Sequence, residues 1–429
     1  MEKIYSFWEV LMLPNINRFY NNKYLSAIRY TFYVLMPFWL TVSFFDILGN
    51  LFLNPSGFLM SKEGLNLGFW LTGLSGDEYF QSSFVKILSE YKQIISVGYS
   101  LTAIIATIVL SRKLSEIWEA DKNLTVFCSL AAFILISPLA THNQNEMKDY
   151  FAELGFFSAF SATFLSAKLF SWLYGIKKLR LKTPKSLPRE LAHYVSAVFP
   201  VLITLVIFSL LSLLIAMIKF KGGDFFETLS TLTIFQNPFF VLCYQFFVWF
   251  LWWFGIPGYS ITSKLQEVAY LPAQLGNNIG DSSGIFTTGF FQAGVIHVFG
   301  LIIAILVFSQ HEKWRSVAKF SMPFIAFNIQ EIFIFGLPVI LNPIFLIPYI
   351  AAPLANTFVG YVAISWGIVP AFQMDIPWTM PLFFSSIIAT HSIMGGILQL
   401  VWLIMDIFIY APFVITANSL QLTEEKKRR

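Results

Sequence analysis

Charge is what this chain has least of. Only 12% of its 429 residues are Asp, Glu, Lys or Arg, about half the ~25% of an ordinary soluble domain. Hydrophobic residues make up 56%, and there are 48 Phe and 12 Trp. A soluble globular fold is excluded on that balance; the formal excess of +4 is small and says little about nucleic acid, and no nucleic-acid partner is expected. Cysteine is nearly absent: Cys128 and Cys243 both lie in apolar runs, have no metal-ligand spacing, and read as buried free thiols rather than a disulfide. The five histidines (142, 193, 297, 311 and 391) form no i,i+3 or i,i+4 pair. No metal motif, phosphate-binding loop or Gly-rich dinucleotide turn is present, so no cofactor is expected and the chain cannot itself use ATP. A cleavable leader is not expected either, since residues 1–24 are polar and lack a continuous apolar stretch.

What is there instead is a series of apolar runs near the ~17–25 residues a bilayer crossing needs. They fall near 27–52, 93–111, 123–141, 152–175 and 190–218 in the first half. Lys3, Arg18 and Lys23, then Arg112, Lys113 and Lys122, then the run KKLRLKTPKSLPRE at 177–190, all fall on one side of a five-span half. The positive-inside rule makes that side cytoplasmic. Pro184 and Pro188 break any helix in the last cluster, which reads as a linker that marks topology and meets anionic lipid or an acidic partner. The tail TEEKKRR is basic too. Both termini are expected in the cytoplasm, with about ten crossings, five per half. The fold class expected is an all-α integral membrane protein of about ten transmembrane helices. Residues 1–218 would form an N-terminal five-span half and 219–429 a C-terminal half with re-entrant or broken hairpins. Within the second half, residues 261–284 contain Lys264, Glu267, Asn277, Asn278 and Asp281, and are expected to be a loop with a short surface helix.

The most informative stretch is FNIQEIFIFGLPVILNPIFLIPYI, residues 327–350. It sets one carboxylate, Glu331, in apolar surroundings, and an intramembrane acid costs at least ~2.5–3.5 kcal/mol on insertion scales. Gly336, Pro338, Asn342, Pro343 and Pro348 follow it. Such a segment suits broken backbone, tolerated at membrane depth only where protein or a water-filled cavity satisfies the freed groups. An acid placed there reads as a binding site; the competing reading is an acid paired to a buried base.

Several stretches together resemble the membrane subunit (EIIC) of the lactose, cellobiose and diacetylchitobiose class of bacterial sugar phosphotransferase systems. NKYLSAIRYTFYVLMPFWLTVSFF (22–45) resembles the family's first span, and TPKSLPRELAHYVSAVFP (183–200) its linker and fifth span. FNIQEIFIFGLPVILNP (327–343) resembles its acid signature, DIPWTMPLFFSSIIAT (375–390) its Pro-Trp-Thr segment, and LQLVWLIMDIFIYAPF (398–413) its last span. FGIPG (254–258) lies where the family carries a Gly-Ile-His-Gly turn, so the family's histidine is Pro257 here. Gln330 replaces the second Asn of the acid signature, Ile332 a Pro, Leu382 a Pro, and His391 a small residue.

The resemblance implies a bacterial plasma-membrane permease that acts as a homodimer. It would take up a β-linked disaccharide or similar saccharide, phosphorylated by a separate soluble subunit bearing a phosphocysteine. The N-terminal half would be scaffold and dimer interface, and the C-terminal half would hold the sugar. Glu331 is the family acid; its oxygens accept from sugar hydroxyls, and it is a candidate to take the proton of the attacking hydroxyl. Asn328 and Gln330 flank it with amide donors and acceptors, which equally suit the broken backbone. Trp378 can stack on a sugar face or sit in an interfacial belt, and Thr379 is adjacent. His391 is a candidate stand-in for the missing turn histidine, against the plainer role of interhelical donor that also suits His297. Arg29 and Lys168 read as snorkelling to the interface, and Asp46 and Asp406 as capping or interfacial acids. Two other functions stay open: a degenerate carrier or membrane receptor that does not phosphorylate, because of Pro257, and an ion-coupled symporter using Asp46, Asp406 and Glu331.

Overall fold

The computed structural model describes residues 22–55, 59–60, 66–74, 76–96, 101–137, 155–184, 186–230, 233–280, 284–337, 339–374 and 380–428. Among the described residues every regular element is helical. The principal helices are α1 (Lys23–Leu48), α2 (Thr102–Ile117), α3 (Lys122–Ile136), α4 (Phe156–Gly175), α5 (Val198–Ser230), α6 (Pro238–Trp253), α7 (Leu271–Ile279), α8 (Thr288–Ala293), α9 (His297–Phe308), α10 (Glu312–Ile325), α11 (Glu331–Gly336), α12 (Pro343–Ser365), α13 (Phe384–Thr390) and α14 (Ile393–Arg428). Among the described residues, six stretches are long and apolar enough to cross a bilayer: Lys23–Phe45, Phe156–Gly175, Arg189–Ile215, Thr288–Phe308, Pro343–Ser365 and Ile393–Asn418. Two shorter apolar helices, Lys122–Ile136 and Pro238–Trp253, accompany them.

The chain forms two compact units that interleave in sequence. One comprises residues 18–35 and 99–228; the other comprises 1–17, 36–98 and 229–429. The later division falls ten residues beyond the 218/219 boundary expected from the sequence, and 36–98 cluster with the C-terminal part.

The unit of 18–35 and 99–228 is built from straight helices. α2, α3 and α4 pack on one another through a seam of Ala103, Ala132, Ala159 and Ala162, closed by Phe133 and Phe208. Small residues let helices approach where lipid supplies no hydrophobic drive. Phe32 stacks on Phe156 and Phe160, with ring centroids 6.3 and 5.6 Å away. The buried hydroxyls of Thr31, Thr107 and Thr204 bond the carbonyl four residues back, at 2.8–2.9 Å, so they leave nothing unsatisfied. Asp121 caps α3 by accepting from the Leu124 N–H at 2.8 Å, and its other oxygen meets His193 Nε2 at 2.9 Å. Burial pulls the Asp121 carboxyl upward, but the Leu124 N–H and His193 outweigh it and hold the group below its ordinary value. Lys168 is exposed and lies over the Trp118 ring, 5.4 Å from its centroid. The linker holds a single 3₁₀ turn, Lys177–Leu179, then non-helical chain through 184, and helix resumes at Arg189 directly after Pro188.

The other unit is interrupted throughout. α1 ends in a π-helical turn, Gly49–Leu53; α6 stops at a Gly255 turn with φ +80°; and α8, α11 and α13 are six, six and seven residues long. Its core is α9 against α14, with α12 packed on α14 and on α6. Gly300 makes the α9–α14 approach possible, since a Cβ there would lie 2.5 Å from the Asp406 Cβ. Residues 263–279 are helical, with Glu267, Leu275, Asn278 and Ile279 exposed as a surface helix requires, but Tyr270, Gln274 and Asn277 on the inner side are buried, and Gln274 and Asn277 bond backbone instead of water. Cys128 is buried as expected, whereas Cys243 is exposed on the apolar outer face of α6.

Candidate functional site

Glu331 is the first residue of α11, a six-residue helix that follows a tight turn. Its backbone position is defined; its side chain lies outside what is described. Asn328, in the turn before it, has φ +62° and is buried, and asparagine is the residue that enters the left-handed region most readily after glycine. The Asn328 N–H donates to Ile325 O at 2.8 Å, closing α10. Gln330 is buried at the head of α11, where its carbonyl accepts from the Phe333 and Ile334 N–H groups at 3.0 and 2.9 Å. Its side-chain Oε1 is buried with no hydrogen-bond partner among the described residues, an acceptor held beside the acid.

Past α11 the chain turns back through Leu341, φ +56°, into α12. Asn342 caps α12 with its side-chain oxygen on the Ile344 N–H at 3.0 Å, and Pro343 follows as a first helical residue with no N–H to satisfy. The Leu341 N–H donates to Trp253 O at 3.0 Å, and the Trp253 indole donates to Asn342 O at 3.0 Å. The acid segment is therefore tied to the end of α6, immediately before Phe254–Gly258. Pro257 is buried in that turn, where its carbonyl accepts from the Ile261 N–H at 3.1 Å. Gly258 passes so close to the Val248 carbonyl that no side chain fits there.

Trp378 and Thr379 lie outside the described residues, but both ends of their segment are fixed. The Gln373 N–H donates to Ala389 O at 2.7 Å, and the Leu382 N–H donates to Ala326 O at 3.1 Å, in the turn before Asn328. His391 ends α13 with φ +50° and is exposed. The segments of three separate sequence signatures, around 254–258, 326–343 and 380–391, thus meet through main-chain bonds in one unit.

Side-chain carboxamides hold the breaks in place. Gln236 pairs with both backbone groups of Phe286, at 2.8 and 3.0 Å. Asn277 does the same to Gly284, at 2.7 and 2.9 Å, and also donates to Phe372 O at 3.0 Å. Gln274 accepts from the Gly289 N–H at 2.7 Å and the Thr288 hydroxyl at 2.8 Å. Gln399 accepts from the Phe383 N–H at 2.8 Å and donates to Ala293 O at 3.0 Å. Each replaces a bond that regular helix would have supplied; left unmade in a buried place, each such group costs ~1–3 kcal/mol. Sequence reading assigned none of these amides a role. A signal was present, since Asn and Gln are dense next to Gly between apolar runs.

Two deeper groups complete the polar interior. His297 Nδ1 lies 2.8 Å from the Tyr410 hydroxyl, the interhelical contact expected of it. Asp406 is fully buried at mid-helix and accepts from Asn356 Nδ2 at 3.0 Å, so it is neither a cap nor an interfacial acid; its partner is fifty positions earlier on α12. The side chain of Asp46 lies outside what is described. A cavity of about 10 Å³ bordered by Gln245, Tyr259, Thr357 and Trp402 is roughly the size that admits one water.

A sequence profile described as "Phosphotransferase system, EIIC" matches residues 29–353. The chain belongs to this EIIC family. With its apolar helices, membership makes it an integral membrane protein of a sugar phosphotransferase system. Among EIIC relatives, the oligo-beta-mannoside-specific EIIC component of Bacillus subtilis (strain 168) is 28% identical over 462 residues, covering 100% of this chain and 96% of that protein. The cellobiose-specific EIIC component of Lactococcus lactis subsp. lactis (strain IL1403) is 28% identical over 287 residues, 57% of each chain. The crystal structure of the transporter ChbC, the IIC component of an N,N'-diacetylchitobiose-specific system, matches with a TM-score of 0.50 at 24% identity, over 98% of this chain and 99% of that one. At that identity the likeness bears on the EIIC fold alone.

Proposed function

We propose that this chain is the sugar-translocating subunit for a β-linked disaccharide or short oligosaccharide, with phosphorylation by a separate phosphocysteine-bearing protein. The observation that carries the proposal is the meeting of the acid segment, the 254–258 turn and the 380–391 segment in one unit, on backbone that is broken and held by amides. Broken helices at membrane depth are where transporters place their substrates. Glu331 supplies acceptors for sugar hydroxyls, and the buried Gln330 Oε1 supplies another. Trp378 stacks on the ring, with Asn328 and Thr379 beside it, and Glu331 takes the proton as the sugar hydroxyl attacks the phosphocysteine phosphorus and the P–S bond breaks, the thiolate leaving with the partner protein. The names of the relatives, which specify oligo-beta-mannoside and cellobiose, support the β-linked class.

About ten crossings, with both termini cytoplasmic, follow from the basic connections and tail. The straight-helix half supplies scaffold and dimer contact, and the interrupted half carries the sugar between outward and inward states. The test uses vesicles containing the full chain, with the general phosphotransferase proteins and a cellobiose-class phosphocysteine subunit. Appearance of sugar phosphate that depends on phosphoenolpyruvate is expected with cellobiose or mannobiose outside. Sugar entering unmodified would sink the phosphorylating reading.

A second reading has one specific observation behind it. Pro257 is buried in the turn where the family resemblance sets a histidine, and a proline neither donates nor accepts a ring proton. A carrier or receptor that binds without phosphorylating would follow, unless His391 takes over from its position at the end of α13. Loss of uptake in His391→Ala as complete as in Glu331→Ala supports the substitution; near-normal uptake ends it.

A further inference from the structure

We infer that Gln399 is a positioning residue for the sugar site, holding the 380–391 segment in register with the acid segment. This rests on the sugar-binding reading above. Gln399 lies on α14, near the start of the stretch that resembles the family's last span, and is fully buried. Its Oε1 accepts from the N–H of Phe383 at 2.8 Å. Phe383 has φ +70°, a conformation costly for a bulky side chain, which persists only where surroundings hold it. The preceding N–H, of Leu382, donates to Ala326 O, two residues before Asn328. Two consecutive amides thus bond in different directions, one to the acid segment and one to α14. The other end of the same carboxamide donates to Ala293 O at 3.0 Å and to Ser385 Oγ at 3.4 Å. Ala293 closes α8, whose backbone continues through a 3₁₀ turn into α9.

One side chain therefore links a strained residue, the break between α8 and α9, and through Leu382 the turn that presents Asn328, Gln330 and Glu331. A carbonyl could not serve Phe383 here, because intact helix α14 uses its own. An apolar replacement of the same length leaves the Phe383 N–H without its acceptor and removes the tie to Ala293 O. The strained turn then has no reason to stay, and the Trp378 segment that ends at it loses its register against the acid. The consequence falls on sugar affinity rather than on the chemical step, because Gln399 touches neither sugar nor phosphoryl group.

The experiment compares Gln399→Met, which keeps shape, Gln399→Glu, which keeps the acceptor for Phe383, and Glu331→Gln as the reference for a lost ligand. Equilibrium binding to the purified full chain uses cellobiose, mannobiose, lactose and N,N'-diacetylchitobiose, and phosphorylation in vesicles gives KM and kcat. Hydrogen exchange across 380–392 reads the clamp without any sugar. Gln399→Met is expected to raise Kd and KM about tenfold with kcat within about twofold, the size of one buried hydrogen bond, and to speed exchange in 380–392. Gln399→Glu is expected to recover most of both. Unchanged affinity in Gln399→Met overturns the inference, as does a parallel fall in affinity, kcat and folded yield, or a Gln399→Glu as damaged as Gln399→Met. If the unsubstituted chain binds none of the four sugars, the sugar reading itself fails and the positioning role with it, while faster exchange in Gln399→Met would leave only a structural clamp.

Discussion

The two units solve one problem in opposite ways. Every backbone N–H and C=O in a bilayer must be bonded within the protein. The unit of 18–35 and 99–228 does so by keeping its helices whole; its alanine seam and stacked rings then need only shape. The buried hydroxyls of Thr31, Thr107 and Thr204 turn inward on their own helices, as Thr107 does on Ala103 O. The unit containing 229–429 interrupts its helices and closes the gaps with long side chains from elsewhere, as Asn277 does for Gly284 and Gln399 for Phe383. The lesson concerns where function can live. Whole helices present side chains only, whereas an interrupted helix also exposes backbone ends and can hold an acid at membrane depth. The repair kit of amides is what the proposed sugar site would be built on.

Breaking the contrast at its sharpest point means removing the acid. Glu331→Gln keeps shape and hydrogen-bonding capacity but cannot take a proton. Phosphoenolpyruvate-dependent sugar phosphorylation is expected to fall about 100-fold or more, the lower range for loss of a general base, with the protein folded. Residual phosphorylation above a tenth of normal would remove Glu331 from the chemistry.

Next in size is the buried pair of α12 and α14. Asn356→Leu strips Asp406 of its donor in a place with no water, and about 3 kcal/mol of stability should go, as when one partner of a buried polar pair is removed. Adding Asp406→Leu should restore much of it, because two apolar side chains leave nothing unmet. Thermal unfolding of the purified chain decides: a double variant no better than the single would mean that Asp406 has other partners.

The amide clamps come third. Asn277→Ala should cost ~1–3 kcal/mol for the backbone groups of Gly284 and Phe372 left buried, seen as faster hydrogen exchange at 284–289. The exposed neighbour Asn278 provides the comparison, and Asn278→Ala should change nothing measurable. Equal effects would dissolve the distinction drawn between these two amides.

How much of this was readable in the chain follows the same divide. Apolar runs located the long helices, because whole helices are a local property. Gly, Asn and Pro after Glu331 foretold the interruption, because helix breaking is also local. The non-helical stretch around Pro184 was likewise legible. The buried bonds of Gln274 and Asn277 within 261–284 were not legible for a physical reason: their partners are backbone groups that only tertiary folding brings near. Asp406 was misplaced in the same way, since Asn356 lies on another helix. Gln399 bonds Ala293 across 106 positions, a pairing that no local pattern contains.

The smallest effect belongs to the straight-helix unit and checks that its stability is local. Asp121→Ala removes the cap of α3, which should cost about 1 kcal/mol at pH 7. The pH dependence has a definite sign. The Asp121 carboxyl is held below its ordinary value in the folded chain, so its contribution is complete above the ordinary carboxylate range and fades as pH falls through the lower, folded-state value. The gap between Asp121→Ala and the unsubstituted chain should therefore persist above the ordinary carboxylate range and shrink as pH falls below it. Exchange in 380–392, in the other unit, should not respond to this substitution at any pH. A response there would show that capping α3 reaches the interrupted helices, and the two units could no longer be treated as separately stabilised.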